Sequence, residues 1–141
     1  MTPPALALDD VHLTLGSRAG DVQILRGVSL AANPGEAIGI VGPSGSGKTS
    51  LLMIIAGLEP VTSGHIAVAG TTLHDKSEEA LARFRRDTIG IIFQSFHLIP
   101  TLTALENVAI PMEFKGVADA VERARSGLER VGLGHRLSHY P

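Results

Sequence analysis

The sequence contains no cysteine. Disulfides and thiolate metal sites are thereby excluded, and a reducing compartment is permitted. Charge of one sign is lacking too: twelve Lys and Arg against fourteen Asp and Glu leave a formal charge of -2. No block of like charge stands out, which argues against a nucleic-acid surface. The one dense basic group, Arg83, Arg85 and Arg86, reads as the polar face of a helix. Long apolar runs are also missing. The longest, LLMIIAGL at 51–58, is far too short to span a bilayer. The N-terminal MTPPALALDD has no basic region followed by a long apolar run, so no signal peptide is expected. The chain is expected to be soluble and cytoplasmic.

What is present is a globular composition. Of 141 residues, 44% are apolar and 18% charged, enough for one ordinary domain with a core. Segments 5–15 (ALALDDVHLTL) and 22–32 (VQILRGVSLAA) alternate about the turn-like GSRAGD and predict a hairpin or meander. NPG at 33–35 predicts a turn, with Pro34 presetting φ and Gly35 allowing the reversal. EAIGIV (36–41) and TIGIIF (88–93) are apolar on both faces and predict buried strands. KTSLLMIIAG (48–57) predicts a helix that is apolar nearly all round, hence deeply buried, with Gly57 as its C-terminal cap. HIAVAG (65–70) predicts a short strand. SEEALARFRRD (77–87) predicts an exposed helix, with Ser77 as N-cap, Glu78 and Glu79 in the first turn and Arg85 and Arg86 near the last. Residues 94–111 read as a loop with a short helix. A final helix over about 118–131 places Val121, Ala124, Leu128 and Val131 on one stripe, with Gly132 beyond it.

Residues 42–49, GPSGSGKT, fit the pattern G-x-x-x-x-G-K-[ST], with a predicted strand before and a helix beginning at the lysine. The run Gly42, Pro43, Ser44, Gly45, Ser46, Gly47, Lys48 and Thr49 is the expected phosphate cradle. Gly42, Gly45 and Gly47 permit backbone angles that turn successive N–H groups onto a phosphate. The helix starting at Lys48 aims its positive end at the same place. Lys48 supplies a charge for the β- and γ-phosphates, Thr49 a hydroxyl for Mg²⁺, and Ser50 a hydroxyl or N–H for the α-phosphate. A chance match in a chain of this length would arise on the order of once in a few hundred sequences. The expected ligand is a nucleoside triphosphate.

VSLAANPGEAIGIVGPSGSGKTSLLMIIAGLEPVTSGHIAVAG, followed by IGIIFQSFHLIPTLTALENVAIP, resembles the ATP-binding subunit of ABC transporters. FQSFHLIPTLTALENV is most like the branch that serves lipoprotein release, macrolide efflux and the YbbA-type exporters. The resemblance implies an α/β fold, incomplete here: a P-loop NTPase core of the ABC type (about 36–58 and 71–94), an antiparallel β-region (about 1–35 and 59–70) and the start of a helical subdomain (about 95–141). It implies ATP and Mg²⁺ bound between two ATP-binding subunits set head to tail. It also implies coupling of hydrolysis to an integral-membrane permease, on the cytoplasmic side of the membrane, in export or extraction. Gln94 matches the family's Q-loop glutamine, which coordinates Mg²⁺ or orients the attacking water and so acts with Lys48 in catalysis. The apolar segment Phe96, Leu98, Ile99, Pro100 and Leu102 would form the surface that receives the membrane subunit.

Two departures accompany the resemblance. Where many members stack an aromatic residue on adenine, this sequence has Leu15, which leaves apolar contact with the base but removes stacking. The family's signature, Walker B aspartate, catalytic glutamate and switch histidine would all follow LSHYP, so the sequence corresponds to the N-terminal portion of a member. The alternative is a truncated nucleotide-binding module without hydrolysis. Asp75, Glu78 and Glu79 are no substitutes, since no buried apolar strand leads into them. A small P-loop kinase is disfavoured because residues 94–117 contain no arginine for a lid. His135 and His139 could share a helix face, but without a glutamate partner or further ligands they read as solvated surface residues.

Overall fold

The computed structural model describes residues 3–18 and 20–141. The chain forms two units, residues 1–90 and residues 91–141.

The first unit is built on a four-stranded antiparallel sheet of order β2-β1-β3-β4, where β1 is Leu6–Ser17, β2 Gly20–Ala32, β3 Ser63–Val68 and β4 Thr71–Thr72. The hairpin expected from alternation is therefore present. A bulge at Asp9 and Asp10, with Asp10 at φ 48°, resets the pleat, so that Leu8, Val11 and Leu13 are all buried despite their odd spacing. Against this face lies α1, Lys48–Ile55, whose Leu51 and Ile54 join Leu8, Val11, Leu13, Leu25, Ile66 and Leu73 in the core. The C-terminus of α1 closes as expected at Gly57: its N–H donates to the Ile54 carbonyl and the Leu58 N–H to the Met53 carbonyl, each at 2.9 Å. One face of α1 is nonetheless open, with Leu52 54% exposed, so the helix is not buried all round. Beyond β4, α2 runs over Glu78–Thr88. Ser77 caps its N-terminus by accepting the Ala80 N–H at 3.3 Å, and Arg85 donates to the Gly57 carbonyl at 2.6 Å.

The two strands expected at 36–41 and 88–93 do not form. Thr88 closes α2, and the remainder of both stretches joins no ladder among the described residues. Ile40 packs at the margin of the core, but other side chains stand in the open: Val41 is 92% and Ile92 101% exposed. The physical reason is that extended backbone becomes a strand only when a neighbour takes its N–H and C=O groups. A segment apolar on both faces also needs a layer on each side. The apolar pattern expresses that need, and no described segment meets it.

The second unit pairs α3, Ala104–Phe114, with α4, Ala120–Arg130, over a small core of Ala109, Ala120, Ala124 and Leu128. The buried row of α4 is thus 120, 124, 128, whereas the expected stripe members Val121 and Val131 are 45% and 69% exposed. Helix α3 continues through Pro111, where the sequence pattern had ended. It is secured by a capping box: Thr103 Oγ1 accepts the Glu106 N–H at 3.3 Å, and the Glu106 carboxylate accepts the Thr103 N–H at 2.7 Å. That hydrogen bond, then the one from the Thr103 hydroxyl, holds the Glu106 carboxyl below its ordinary pKa.

Exposed, unpaired and apolar extended segments recruit other chains. Residues 1–141 produced alone should therefore self-associate in light scattering. A stable monomer over a tenfold concentration range would show that these segments are not adhesive.

Candidate nucleotide site

The site grows from the point where the loop meets the sheet. Gly47 is the N-cap of α1 in the left-handed region, φ 88°, and its backbone lies directly on β2. A Cβ there would stand 3.2 Å from the Ile24 carbonyl oxygen and 3.1 Å from Leu25 Cδ2. Both the angle and the space demand glycine. Gly45, at φ 79°, turns the loop in open space. Gly42 does not show the backbone angle expected of it. It has no left-handed φ, and a Cβ would meet Ser46 Oγ at 2.8 Å, a contact that rotation of the serine side chain relieves.

This path delivers α1 with its first amides directed outward. The first bond of the helix runs from the Leu51 N–H to the Gly47 carbonyl at 2.9 Å. The N–H groups of Lys48, Thr49 and Ser50 precede it and, by helix geometry, point out of the helix's N-terminal end. No side chain caps Gly47. An anion placed there would accept those amides along the positive end of the helix. Lys48 folds back over the loop. Its ammonium donates to the Gly42 carbonyl at 2.9 Å, to the Pro43 carbonyl at 2.6 Å and to Ser46 Oγ at 3.3 Å. The cation is held over the cradle by neutral oxygens, which phosphate oxygens can replace with stronger, charge-assisted bonds. Pro43, Ser44 and Thr49 are exposed, and Ser50 is half-buried.

Leu15 lies on the same unit, in register with Val22 across the hairpin. Being two residues from the buried Leu13, it shares the core-facing side of β1, and it is 41% exposed where the core ends. Val22, 50% exposed, faces it and stands two residues from the Ile24 that touches Gly47, about 7 Å along the strand. Sequence reasoning missed Val22; cross-strand register was the signal needed. Gln94 belongs to the other unit, exposed on a bend that His97, at φ 48°, turns while its ring meets Phe93 edge-on at 4.8 Å. For Mg²⁺ the first unit offers the exposed Thr49 hydroxyl beside the anion cradle. That suits an ion bound chiefly through substrate phosphates, and no cluster of three metal-ligating side chains occurs among the described residues.

The sequence profile of the ABC transporter family matches residues 25–141. This chain belongs to the ABC transporter family. Among its relatives, the lipoprotein-releasing system ATP-binding protein LolD 2 of Caulobacter vibrioides is 46% identical over 143 residues, covering 100% of this chain and 63% of the relative. The uncharacterized ABC transporter ATP-binding protein YbbA of Escherichia coli K12 is also 46% identical, covering 98% of this chain and 63% of the relative. Among solved structures, the dimeric post-hydrolysis state of the ATP-binding cassette MJ0796, bound to ADP and Pi, superposes with a TM-score of 0.89 at 36% identity. It spans 96% of this chain and 61% of that one. The chain thus covers about three-fifths of the length of the relatives it matches. The family and an incomplete α/β P-loop fold, both expected from the motifs, are borne out.

Lys48→Ala removes the one cation the loop holds over its cradle. Loss of a charge-assisted phosphate contact costs about 1.5–3 kcal/mol, roughly ten- to a hundredfold in ATP affinity. Calorimetry giving equal affinity for the two proteins would contradict this site.

Proposed function

We propose that this chain is the nucleotide-binding part of an ABC transporter's ATP-binding subunit, taking ATP with Mg²⁺ at residues Gly42–Ser50. The observation that carries the proposal is the Lys48 ammonium held over an uncapped helix N-terminus by the loop's own oxygens. Thr49 would place its hydroxyl on the metal. Leu15 and Val22 would lie under the base, and Gln94 would join catalysis once the complete protein brings the phosphates to it. The complete subunit would bind ATP between two copies head to tail and couple hydrolysis to an integral-membrane permease, at the cytoplasmic face of the membrane, in export or extraction. Support comes from family membership, from relatives named as ATP-binding components of a lipoprotein-releasing system, and from the dimeric, ADP-bound neighbour.

A second reading, binding without hydrolysis, is favoured for residues 1–141 alone. Phosphoryl transfer to water needs a group that positions the water and carboxylates that hold the metal. Among the described residues no such acidic cluster exists. The domain limits drawn from the sequence, with the β-region at about 1–35 and 59–70 and the helical part from about 95, belong to the same proposal.

Phosphate release and nucleotide binding, measured side by side, test both readings. The full-length protein should turn over ATP and lose turnover in Lys48→Ala, while residues 1–141 should bind ATP without releasing phosphate. Lys48-dependent turnover by residues 1–141 would sink the second reading; failure of either protein to bind ATP would sink the first. With two aliphatic side chains in place of an aromatic, ATP should outcompete GTP by less than about a hundredfold, near 2.7 kcal/mol. A larger preference would mean that another residue reads the adenine.

A further inference from the structure

Asn107 ties the turn before α3 through both the oxygen and the nitrogen of its side-chain amide, and none of the roles above uses it. Its Oδ1 accepts the Ile99 N–H at 2.8 Å. Its amide nitrogen, with two N–H groups to share, faces three carbonyls: Leu102 at 2.9 Å, Thr103 at 3.0 Å and Ile99 at 3.1 Å. The stretch it grips is already a turn, with Pro100 at the second position and the Leu102 N–H donating to the Ile99 carbonyl at 3.1 Å. One bond and a proline suffice to close such a turn. The additional contacts fix the turn's attitude to α3.

What the turn carries is the reason to fix it. From Gln94 to Leu105 there is no Asp, Glu, Lys or Arg. Phe96 is 88%, Leu98 49% and Ile99 46% exposed. Left mobile, an apolar surface loop gains by folding its side chains inward, away from water. Held by its backbone at Ile99, Leu102 and Thr103, it keeps them outward and arrives at a partner already ordered, which lowers the entropy lost on binding. An uncharged apolar patch suits the apolar face of a helical segment from a membrane-embedded subunit.

We propose that Asn107 is the positioning residue of this surface: it clamps the 99–103 turn so that Phe96, Leu98 and Ile99 are presented to the membrane subunit. The inference rests on the partner proposed above. It assigns Asn107 no contact with nucleotide.

The test uses the full-length protein and the integral-membrane subunit that copurifies with it, reconstituted in nanodiscs. Asn107→Ala should weaken binding of that subunit about tenfold and speed amide exchange within 99–103, leaving ATP affinity unchanged. In an Ile99→Ala background the same substitution should cost clearly less, because the two act through one surface; a general loss of fold would add instead. Should Asn107→Ala not fold, Asn107→Asp carries the same measurement, since it keeps the acceptor for the Ile99 N–H and loses both N–H donors to the three carbonyls. Equal subunit affinity of wild type and variant overturns the proposal, as do costs that simply add. If no membrane subunit binds even the wild type, the partner reading falls and this proposal with it.

Discussion

Everything in the first unit depends on how closely the phosphate loop can approach the sheet. Gly47 touches Ile24 and Leu25 of β2 so closely that even one methyl group would press on a strand carbonyl at 3.2 Å. That carbonyl is held in the strand and cannot retreat as a flexible side chain would. The left-handed φ of 88° at the same residue then sets the direction in which α1 leaves the loop. Leu51 and Ile54 fix its rotation by entering the core of the sheet. Once position and rotation are set, the amides of Lys48, Thr49 and Ser50 can face only one region of space. The anion cradle is thus a consequence of packing, although the side chains named in it are polar.

The same economy governs Lys48. The ammonium of this half-buried residue rests on three loop oxygens and keeps its charge available. Exchanging neutral oxygens for phosphate oxygens gains strength without requiring the chain to unfold anything. The aliphatic pair Leu15 and Val22 extends the core-facing side of the hairpin into solvent, next in line from the residue that touches Gly47. Under the proposed reading, a phosphate would meet directed groups, whereas a base would find only apolar area.

The second unit is organised around one helix end. At its N-terminus α3 carries the Thr103–Glu106 capping box and the Asn107 clamp. Its Ala104 and Leu105 N–H groups donate to the carbonyls of His139 and Leu137 at 2.8 and 3.0 Å. Donors that every helix leaves over are used here to tie the apolar turn and the 137–139 segment to the same point. A core of alanines and one leucine could not hold these segments by burial alone.

Much of this was legible in the sequence. Phosphate loop, hairpin, Ser77 cap and Gly57 stop depend on local chemistry: a glycine that must be left-handed, a hydroxyl that reaches the third amide, a pleat of period two. The T-x-x-E of the α3 capping box was equally local, although it was not picked out, and the helix it starts runs on through Pro111. Local pattern could not supply partners. EAIGIV and the apolar part of TIGIIF read as strands because their composition suits burial on both faces, but a strand exists only by pairing with another segment. On α4 the expected Ala124 and Leu128 are buried, but Ala120 takes the place expected of Val121, because a small residue outranks a larger one only when a neighbour's position is known. Gly42 was assigned to backbone freedom, yet it has no left-handed φ. The sequence by itself determined the phosphate-loop motif and the beginnings of α1 and α2, which depend on local chemistry. Tertiary structure alone decided which apolar faces are covered, because burial belongs to pairs of segments and not to either one.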